Sequence, residues 1–324
     1  MEAEPAATEG ETAIARGTTR TLDVTVLMGG PSTEREVSLV SGAAVADALT
    51  RVGHRVTRAD ISPTDTSALD APGIDVVFIA LHGDFGESGE VQALCEARSL
   101  RYIGSGPRAS ELCMDKAASK QLVRRAGVRT PDWTLVEESD PPEDAARRVR
   151  ELSLPAVLKP VDGGSSVDVT IARAAAARDK ALAALVDKYG RAMVERFVPG
   201  RELTVGILGD RALPVLEIVP DGTFYDFRAK YSDAAATRYV FDHGLPESVC
   251  AAVQRAALES HRALGCRDLS RVDFILDASG APWFLEINTI PGFTSHSLLP
   301  KAAARVGIGF DALCDRLLAM AMAR

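Results

Sequence analysis

From Leu22 onward the chain alternates between two hydrophobic patterns. Short, nearly continuous apolar runs end in glycine, and longer segments with apolar residues three or four apart follow them. TLDVTVLMGG (21–30) reads as a buried strand closed by two glycines. PSTEREVSLVSGAAVADALTRVG reads as a helix with Val37, Val40, Ala44, Val45 and Ala48 on one side, and Thr33 and Glu36 stand at capping-box spacing. HRVTRADI and DVVFIALHG are the second and third strands, GEVQALCEARSL is a helix, and RYIGSG is a fourth strand. Such alternation predicts a mainly parallel, doubly wound sheet whose ligands gather at the carboxyl ends of its strands. MGGPSTE and ALHGDFGESG both lie at such ends.

Beyond residue 106 the pattern changes. Residues 107–130 read as a linker and helix, TPDWTLVEE as a strand and PPEDAARRVREL as a helix with solvated charges. LPAVLKPVDGGSSVDVTIA reads as strand, glycine-rich loop and strand, followed by a helix that Gly190 stops. Residues 191–220 are a run of strands, and 222–245 lack a clear period and read as a long functional loop. A helix ending at Gly265 precedes a hairpin, and FDALCDRLLAMAMAR closes the chain as an amphipathic helix with Phe310, Leu313, Leu317 and Met320 inward.

The hairpin RVDFILDASGAPWFLEIN (271–288) has one apolar face and one face bearing chemistry. A four-residue loop at Ala278–Ala281 sets Asp273 opposite Glu286 and Arg271 opposite Asn288, all on one side. The other side pairs Val272 with Ile287, Phe274 with Leu285 and Leu276 with Trp283. Opposed carboxylates roughly 5 Å apart repel unless a cation joins them or one keeps its proton. Two carboxylates and an amide oxygen suit Mg²⁺ held together with a substrate phosphate. A solvated edge hairpin would also carry polar residues, but Arg271, Asn288 and the following TIPGFTSHS favour a metal face.

Composition narrows the classes. With 324 residues, 46% hydrophobic and 25% charged, the chain can bury two or three compact cores. A net charge of −8 gives no basic footprint for nucleic acid or membrane. No apolar run is long enough to span a bilayer, and the N-terminal twenty residues lack a signal-peptide pattern and read as disordered. The five cysteines have no CxxC spacing and read as reduced, structural and cytosolic.

Other motifs are weaker alone. KPVDGGSSVDV joins Lys159 to a loop whose backbone N–H groups could approach phosphates, though it is no Walker P-loop. Glu195 and the backbone after it could read an adenine amino group, and Glu202 ribose hydroxyls. From sequence alone the reading of both as surface glutamates is favoured, because exposure is the default for Glu. In FYDFRAKYSD, Lys230 could reach a γ-phosphate and Tyr231 line a small pocket. Gly292 could offer an N–H to an oxyanion, Ser297 could bind a carboxylate, and Arg271 could meet a tetrahedral intermediate. His82 could be a satisfied core histidine and Glu34 a helix-start acid.

Together these blocks resemble the D-alanine–D-alanine ligases of the ATP-grasp superfamily. The resemblance rests on MGGPSTEREVSLVSG, IALHGDFGESGEVQ, YIGSG with MDKAASK, LKPVDGGSSV, FYDFRAKY and RVDF…FLEINTIPGFTSHSLLPKAA, and runs from about Leu22 to the C-terminus. It implies an α/β and α+β fold, an N-terminal Rossmann-like domain followed by a two-domain ATP-grasp unit. The corresponding spans are a tail at 1–20, the Rossmann-like substrate domain at 21–106, and ATP-grasp subdomains at 107–196 and 197–324. It implies that Lys116 and Lys159 hold ATP phosphates, Glu195 and Val198 contact adenine, and Glu202 the ribose. Asp273, Glu286 and Asn288 would hold two Mg²⁺ (or Mn²⁺), with Lys230 on the transferring phosphate. Glu34, with Ser165 and Tyr231, would take the first D-alanine, beside His82. Ser297 and Leu298 would fix the second, and Arg271 and Gly292 would stabilise the intermediate.

The implied activity is ATP-dependent ligation of two D-alanines through an acyl phosphate, for peptidoglycan precursors, by a cytoplasmic homodimer. Residues 222–245 and 161–168 would be lids that exclude water. Four departures stand out: Asp168 where the family usually has glycine, Asp162–Gly163 where it has a basic–acidic pair, Phe227 for tyrosine and Arg228 for an acidic residue. They leave two rivals, a ligase of another D-amino or hydroxy acid and a degenerate ATP-binding module. Tyr231 favours D-alanine as acceptor.

Overall fold

A computed structural model describes residues 17–164, 167–220 and 237–324. Ser165, Phe227, Arg228, Lys230 and Tyr231, and most of the 222–245 loop, lie outside the described residues.

The first sheet is small and parallel. β1 (Asp23–Met28) lies between β2 (Arg55–Asp60) and β3 (Val76–Ile79). β1 and β3 are covered on both faces, which is why they read as continuous apolar runs. Val24, Val26, Val76 and Phe78 face α1 (Arg35–Val52) and the C-terminal helix, whereas Leu27, Val77 and Ile79 face the α3 side. α2 (Asp84–Glu87) and α3 (Glu90–Ala97) follow β3. The expected fourth strand shrinks to one parallel bridge between Val77 and Tyr102. Order also starts earlier than Leu22: the N–H and hydroxyl of Thr18 donate to the Asp315 carboxylate.

The inward face of α1 differs from the apolar reading. Val40 is 59% exposed, while Ser38, Ser41, Gly42, Val45, Ala48 and Leu49 are buried. Two serines go inside because each meets His82, so distant partners override periodicity. The expected capping box is absent, since Glu34 occupies the cap position and no side chain caps the first turn.

Residues 107–125 form two helices, α4 (Pro107–Met114) and α5 (Lys116–Arg125), separated by Asp115, whose carboxylate accepts the Ala118 N–H. Their Cys113 and Val123 are buried in the cluster of the third sheet. The second sheet is antiparallel, in order β4 (Trp133–Glu137), β7 (Arg191–Arg196), β5 (Ala156–Pro160), β6 (Thr170–Ala172). α6 (Pro142–Glu151) and α7 (Ala175–Tyr189) cover one face through Val149 and Leu185.

The third sheet runs β11 (Arg238–Val240), β10 (Leu216–Val219), β8 (Arg201–Leu208), β12 (Leu269–Leu276), β13 (Pro282–Asn288), with the short β9 (Arg211–Ala212) paired to β8. β11 is a strand inside the segment read as loop. α8 (Glu247–Ala263) covers the apolar face. α9 (Leu298–Arg305) and α10 (Phe310–Met322) return to the first sheet, where Leu299, Leu313, Leu317 and Leu318 complete its core.

Hairpin register holds only part-way. Arg271 pairs with Asn288, Val272 with Ile287 and Asp273 with Glu286; then the register shifts, and Phe274 meets Phe284 and Leu276 meets Pro282. The expected Phe274–Leu285 and Leu276–Trp283 pairs are therefore wrong by one residue. The turn is set by Asp277, whose carboxylate accepts from the Ser279 and Ala281 N–H groups and from Trp283 Nε1. The slack becomes a bulge. At Phe284 the backbone N–H donates to Arg129 and the carbonyl accepts from Thr130.

Candidate active site

The polar face of the third sheet is continuous across three strands. Thr204 of β8 lies beside Asp273, which lies beside Glu286. Glu202 is two residues from Thr204 and so shares that face. Asp273 is buried and heavily engaged: Arg271 donates through Nε at 3.0 Å and Nη2 at 2.9 Å, and the Thr204 hydroxyl donates at 2.6 Å. Arg271, expected to meet a reaction intermediate, here neutralises its strand neighbour. Thr204 escaped the sequence reading, because a threonine inside RELTVGIL looks like ordinary strand composition. The Asn288 amide oxygen accepts the Ile290 N–H at 2.9 Å.

Lys116 connects this face to the glycine-rich loop. Its Nζ donates to the Gly163 carbonyl at 2.5 Å and lies 3.9 Å from Glu286 Oε2. Its backbone N–H bonds to Val161 at the loop's start. Lys159 and Glu195 stand diagonally on one face of the second sheet, on adjacent strands. Glu195 is 2% exposed, and Lys159 Nζ and Lys120 Nζ approach its Oε2 at 3.0 and 2.8 Å. Those approaches fall outside hydrogen-bonding angles, so they are ion pairs. Burial alone would push the Glu195 carboxyl up, but the two ammonium groups outweigh it and hold the carboxyl below its ordinary value. Glu195 is thus no surface glutamate. Lys120 was missed by the sequence reading, although its spacing four residues after Lys116 puts both on one helix face. Val198 is also buried, at the turn into β8.

The glycine loop is pinned at both ends from one place, residues 188–191. Arg191 Nη2 donates to both oxygens of Asp162, at 2.8 and 2.6 Å. Asp168 has φ +56° and accepts from Lys188 Nζ at 2.6 Å and from the Tyr189 hydroxyl. Those two contacts, Lys188 first, lower the Asp168 carboxyl. Asp168 tolerates the left-handed backbone better than most residues. Asp168→Gly should therefore change the Michaelis constant for ATP by less than about fivefold, the worth of an exposed ion pair. Steady-state kinetics check this, and a tenfold tightening would mean the carboxylate opposes phosphate.

The remaining candidates gather where the first sheet meets the post-hairpin loop. His82 is buried, with Nδ1 3.1 Å from the Ile290 carbonyl and Nε2 3.0 Å from Ser41 Oγ. A carbonyl only accepts, so Nδ1 donates to Ile290. The His82 N–H donates to Ser38 Oγ, and the Ser32 hydroxyl to the His82 carbonyl. His82 is a satisfied core histidine that also fastens the loop leading to Gly292. Glu34 lies on the same side, close enough that a Cβ on Gly83 would sit 3.5 Å from its Oε2. Glu87 lies 3.7 Å from His82 Nδ1, and burial pushes its carboxyl up. Ser297 Oγ accepts the Thr294 N–H at 3.0 Å, and a Cβ on Gly292 would come within 3.2 Å of it. Leu298 packs on Leu216 and Ile218.

Lys116 of α5 thus joins the glycine loop of the second sheet to the carboxylate face of the third. The family profile described as "D-ala D-ala ligase C-terminus" matches residues 122–319, which include Lys159, Glu195 and the whole carboxylate face. The chain belongs to the D-alanine–D-alanine ligase family.

Relatives of that family align along nearly the full length. A D-alanine–D-alanine ligase from Bordetella avium is 45% identical over 301 residues, covering 91% of this chain and 93% of its own. One from Anaeromyxobacter dehalogenans is 43% identical over 295 residues, covering 91% and 95%. Among solved structures, a D-alanine–D-alanine ligase from Bacillus anthracis complexed with ATP superposes with a TM-score of 0.81 at 31% identity, over 94% of this chain and 98% of that one. The VanG D-Ala:D-Ser ligase from Enterococcus faecalis superposes with a TM-score of 0.83 at 27% identity, over 93% and 100%. The expected fold, a Rossmann-like α/β unit followed by an ATP-grasp pair of α+β units, is the fold of these ligases.

Proposed function

We propose that this chain joins two D-alanines to D-alanyl-D-alanine, converting ATP to ADP and phosphate, in the synthesis of peptidoglycan precursors. One observation carries the reading: Lys116 spans from the glycine loop to Glu286, so the phosphate-type loop and the carboxylate face serve one site. ATP lies between the second and third sheets, with Lys116 and Lys159 on its phosphates, Glu195 and Val198 at adenine and Glu202 at ribose.

Asp273, Glu286 and Asn288 fit a divalent cation, because they offer hard oxygen donors together on one sheet face. These residues would hold two Mg²⁺ (or Mn²⁺), which would supply positive charge to the phosphates. The chain's own groups do the rest. Lys116, Lys159 and Lys230 align the γ-phosphoryl group for the carboxylate of the first D-alanine, since phosphoryl transfer needs positioning and charge more than covalent help. The product is an acyl phosphate and ADP. Glu34, with Ser165 and Tyr231, holds the first ammonium, and His82 keeps the Gly292 loop against that subsite. Ser297 and Leu298 orient the second D-alanine, whose amine attacks the acyl carbon. Gly292 N–H and Arg271 meet the oxyanion, and phosphate leaves. The family resemblance also brings a cytoplasmic homodimer into this proposal. The five free thiols suit a reducing compartment.

The test is nucleotide and phosphate analysis with and without D-alanine. D-alanine-dependent ADP and phosphate, with D-alanyl-D-alanine by mass, is the expected result. AMP and pyrophosphate would overturn it, because that outcome means adenylation. Likeness to a D-Ala:D-Ser ligase structure makes D-serine the informative rival acceptor in the same assay.

A further inference from the structure

Lys120 is among the largest fully buried side chains of the described residues, and the proposed reaction gives it no task. A lysine is almost never fully buried unless paired. Here three oxygens surround the ammonium, one as an ion pair and two as hydrogen-bond acceptors. Glu195 Oε2 lies at 2.8 Å, Thr130 Oγ1 at 2.7 Å and the Phe284 carbonyl at 3.4 Å. The Thr130 hydroxyl donates its own proton to Phe284 O at 2.9 Å, so its oxygen is free to accept from Lys120. The ammonium also sits 5.9 Å from the centre of the Trp133 ring. With two hydrogen-bond acceptors, one ion pair and no exposure, Lys120 reaches no ligand itself.

What it reaches is Glu195. That carboxylate carries one negative charge between two ammonium groups, Lys120 from behind and Lys159 at the edge of the site. If Lys159 is to serve phosphate, Glu195 must stay compensated without it, and a buried carboxylate stripped of its partner is strongly disfavoured. Among the described residues Glu195 Oε2 takes no hydrogen bond despite its two ion pairs, so the carboxylate keeps acceptor capacity for an amino group. We infer that Lys120 is a positioning residue: it fixes and neutralises Glu195 so that the carboxylate reads the nucleotide base while Lys159 is released to the phosphates. Burial pulls the Lys120 ammonium down to about 8, and the Glu195 charge opposes that fall, so the proton stays where the pair needs it at neutral pH. Through Phe284 the same ammonium ties β7 to the strand that carries Glu286, so base reading and the metal face share one support.

The inference rests on the nucleotide reading of Glu195, and the variants separate the two. In the full-length protein, Lys120→Met should weaken ATP binding about tenfold or more by calorimetry and raise the Michaelis constant for ATP alike. Binding of magnesium tripolyphosphate, which has no base, should stay within twofold, as should kcat and the constant for D-alanine. Glu195→Gln should weaken ATP but not tripolyphosphate. Adding Lys120→Met to Glu195→Gln should cost little more, since no charge is left to compensate. Lys120→Gln, which keeps two donors, serves if the methionine variant does not fold, and should fall between it and the native protein. Equal loss of ATP and tripolyphosphate, or loss of kcat alone, would reduce Lys120 to structural support and overturn the inference. Native ATP affinity in Glu195→Gln would instead refute the base-reading role of Glu195.

Discussion

Glu286→Gln is expected to lower turnover on the order of a hundredfold to a thousandfold, the range seen when one electrostatic group is removed from a reacting phosphate or acyl centre. The fold should be untouched. Glu286 stands in register with Asp273, so the substitution removes a like-charge neighbour. Against that gain stands the loss of Lys116 at 3.9 Å from a carboxylate 28% exposed. An ion pair that long and that wet contributes about 0–1 kcal/mol, and relief from Asp273 offsets it. Melting in chelator should therefore be unchanged or slightly higher, while the Mg²⁺-dependent rise in melting temperature should shrink. Turnover near the native value at saturating Mg²⁺ would remove Glu286 from the ligand set.

Arg271→Met should be costly in both turnover and stability. Arg271 donates twice to Asp273, and the two side chains are 13% and 9% exposed. Breaking so buried a pair costs about 3–5 kcal/mol, because it strands the remaining charge. The Thr204 hydroxyl still donates to Asp273, so the lower end is expected. Turnover should fall on the order of a hundredfold or more through loss of the oxyanion's charge partner. The two contributions separate with Mg²⁺. A cation at Asp273 replaces the missing charge, so Mg²⁺ should stabilise Arg271→Met more than the native protein in a thermal melt, with turnover still low. A variant that melts like the native protein without metal would show that Arg271 and Asp273 do not depend on each other.

The legible parts of this chain were those fixed by local pattern. Strand-helix alternation gave the parallel sheet, and side-chain alternation placed Arg271, Asp273, Glu286 and Asn288 on one face, opposed as expected. The pattern failed where a distant residue decided the outcome. The hairpin register slips beyond Asp273 because Asp277 builds a wider turn and Phe284 is claimed by Arg129 and Thr130. α1 buries Ser38 and Ser41 in place of Val40 because His82 needs them. Lys120 looked like any helix lysine because its partner Glu195 lies 75 positions away. Asp168 was readable as a tolerant residue for a positive φ, but its hold on Lys188 and Tyr189 required the fold. The family blocks supplied roles that no local rule contains, such as those of Ser297 and Gly292.

The order of bond making can be followed by one labelled atom. If the carboxylate of the first D-alanine attacks the γ-phosphorus, one of its oxygens bridges carbon and phosphorus. When the second amine displaces phosphate, that oxygen leaves with phosphorus. D-alanine labelled with ¹⁸O in its carboxylate should therefore yield inorganic phosphate carrying a single label, with ADP unlabelled, as read by mass spectrometry. Unlabelled phosphate beside labelled AMP, or phosphate without any label, would contradict ligation through an acyl phosphate.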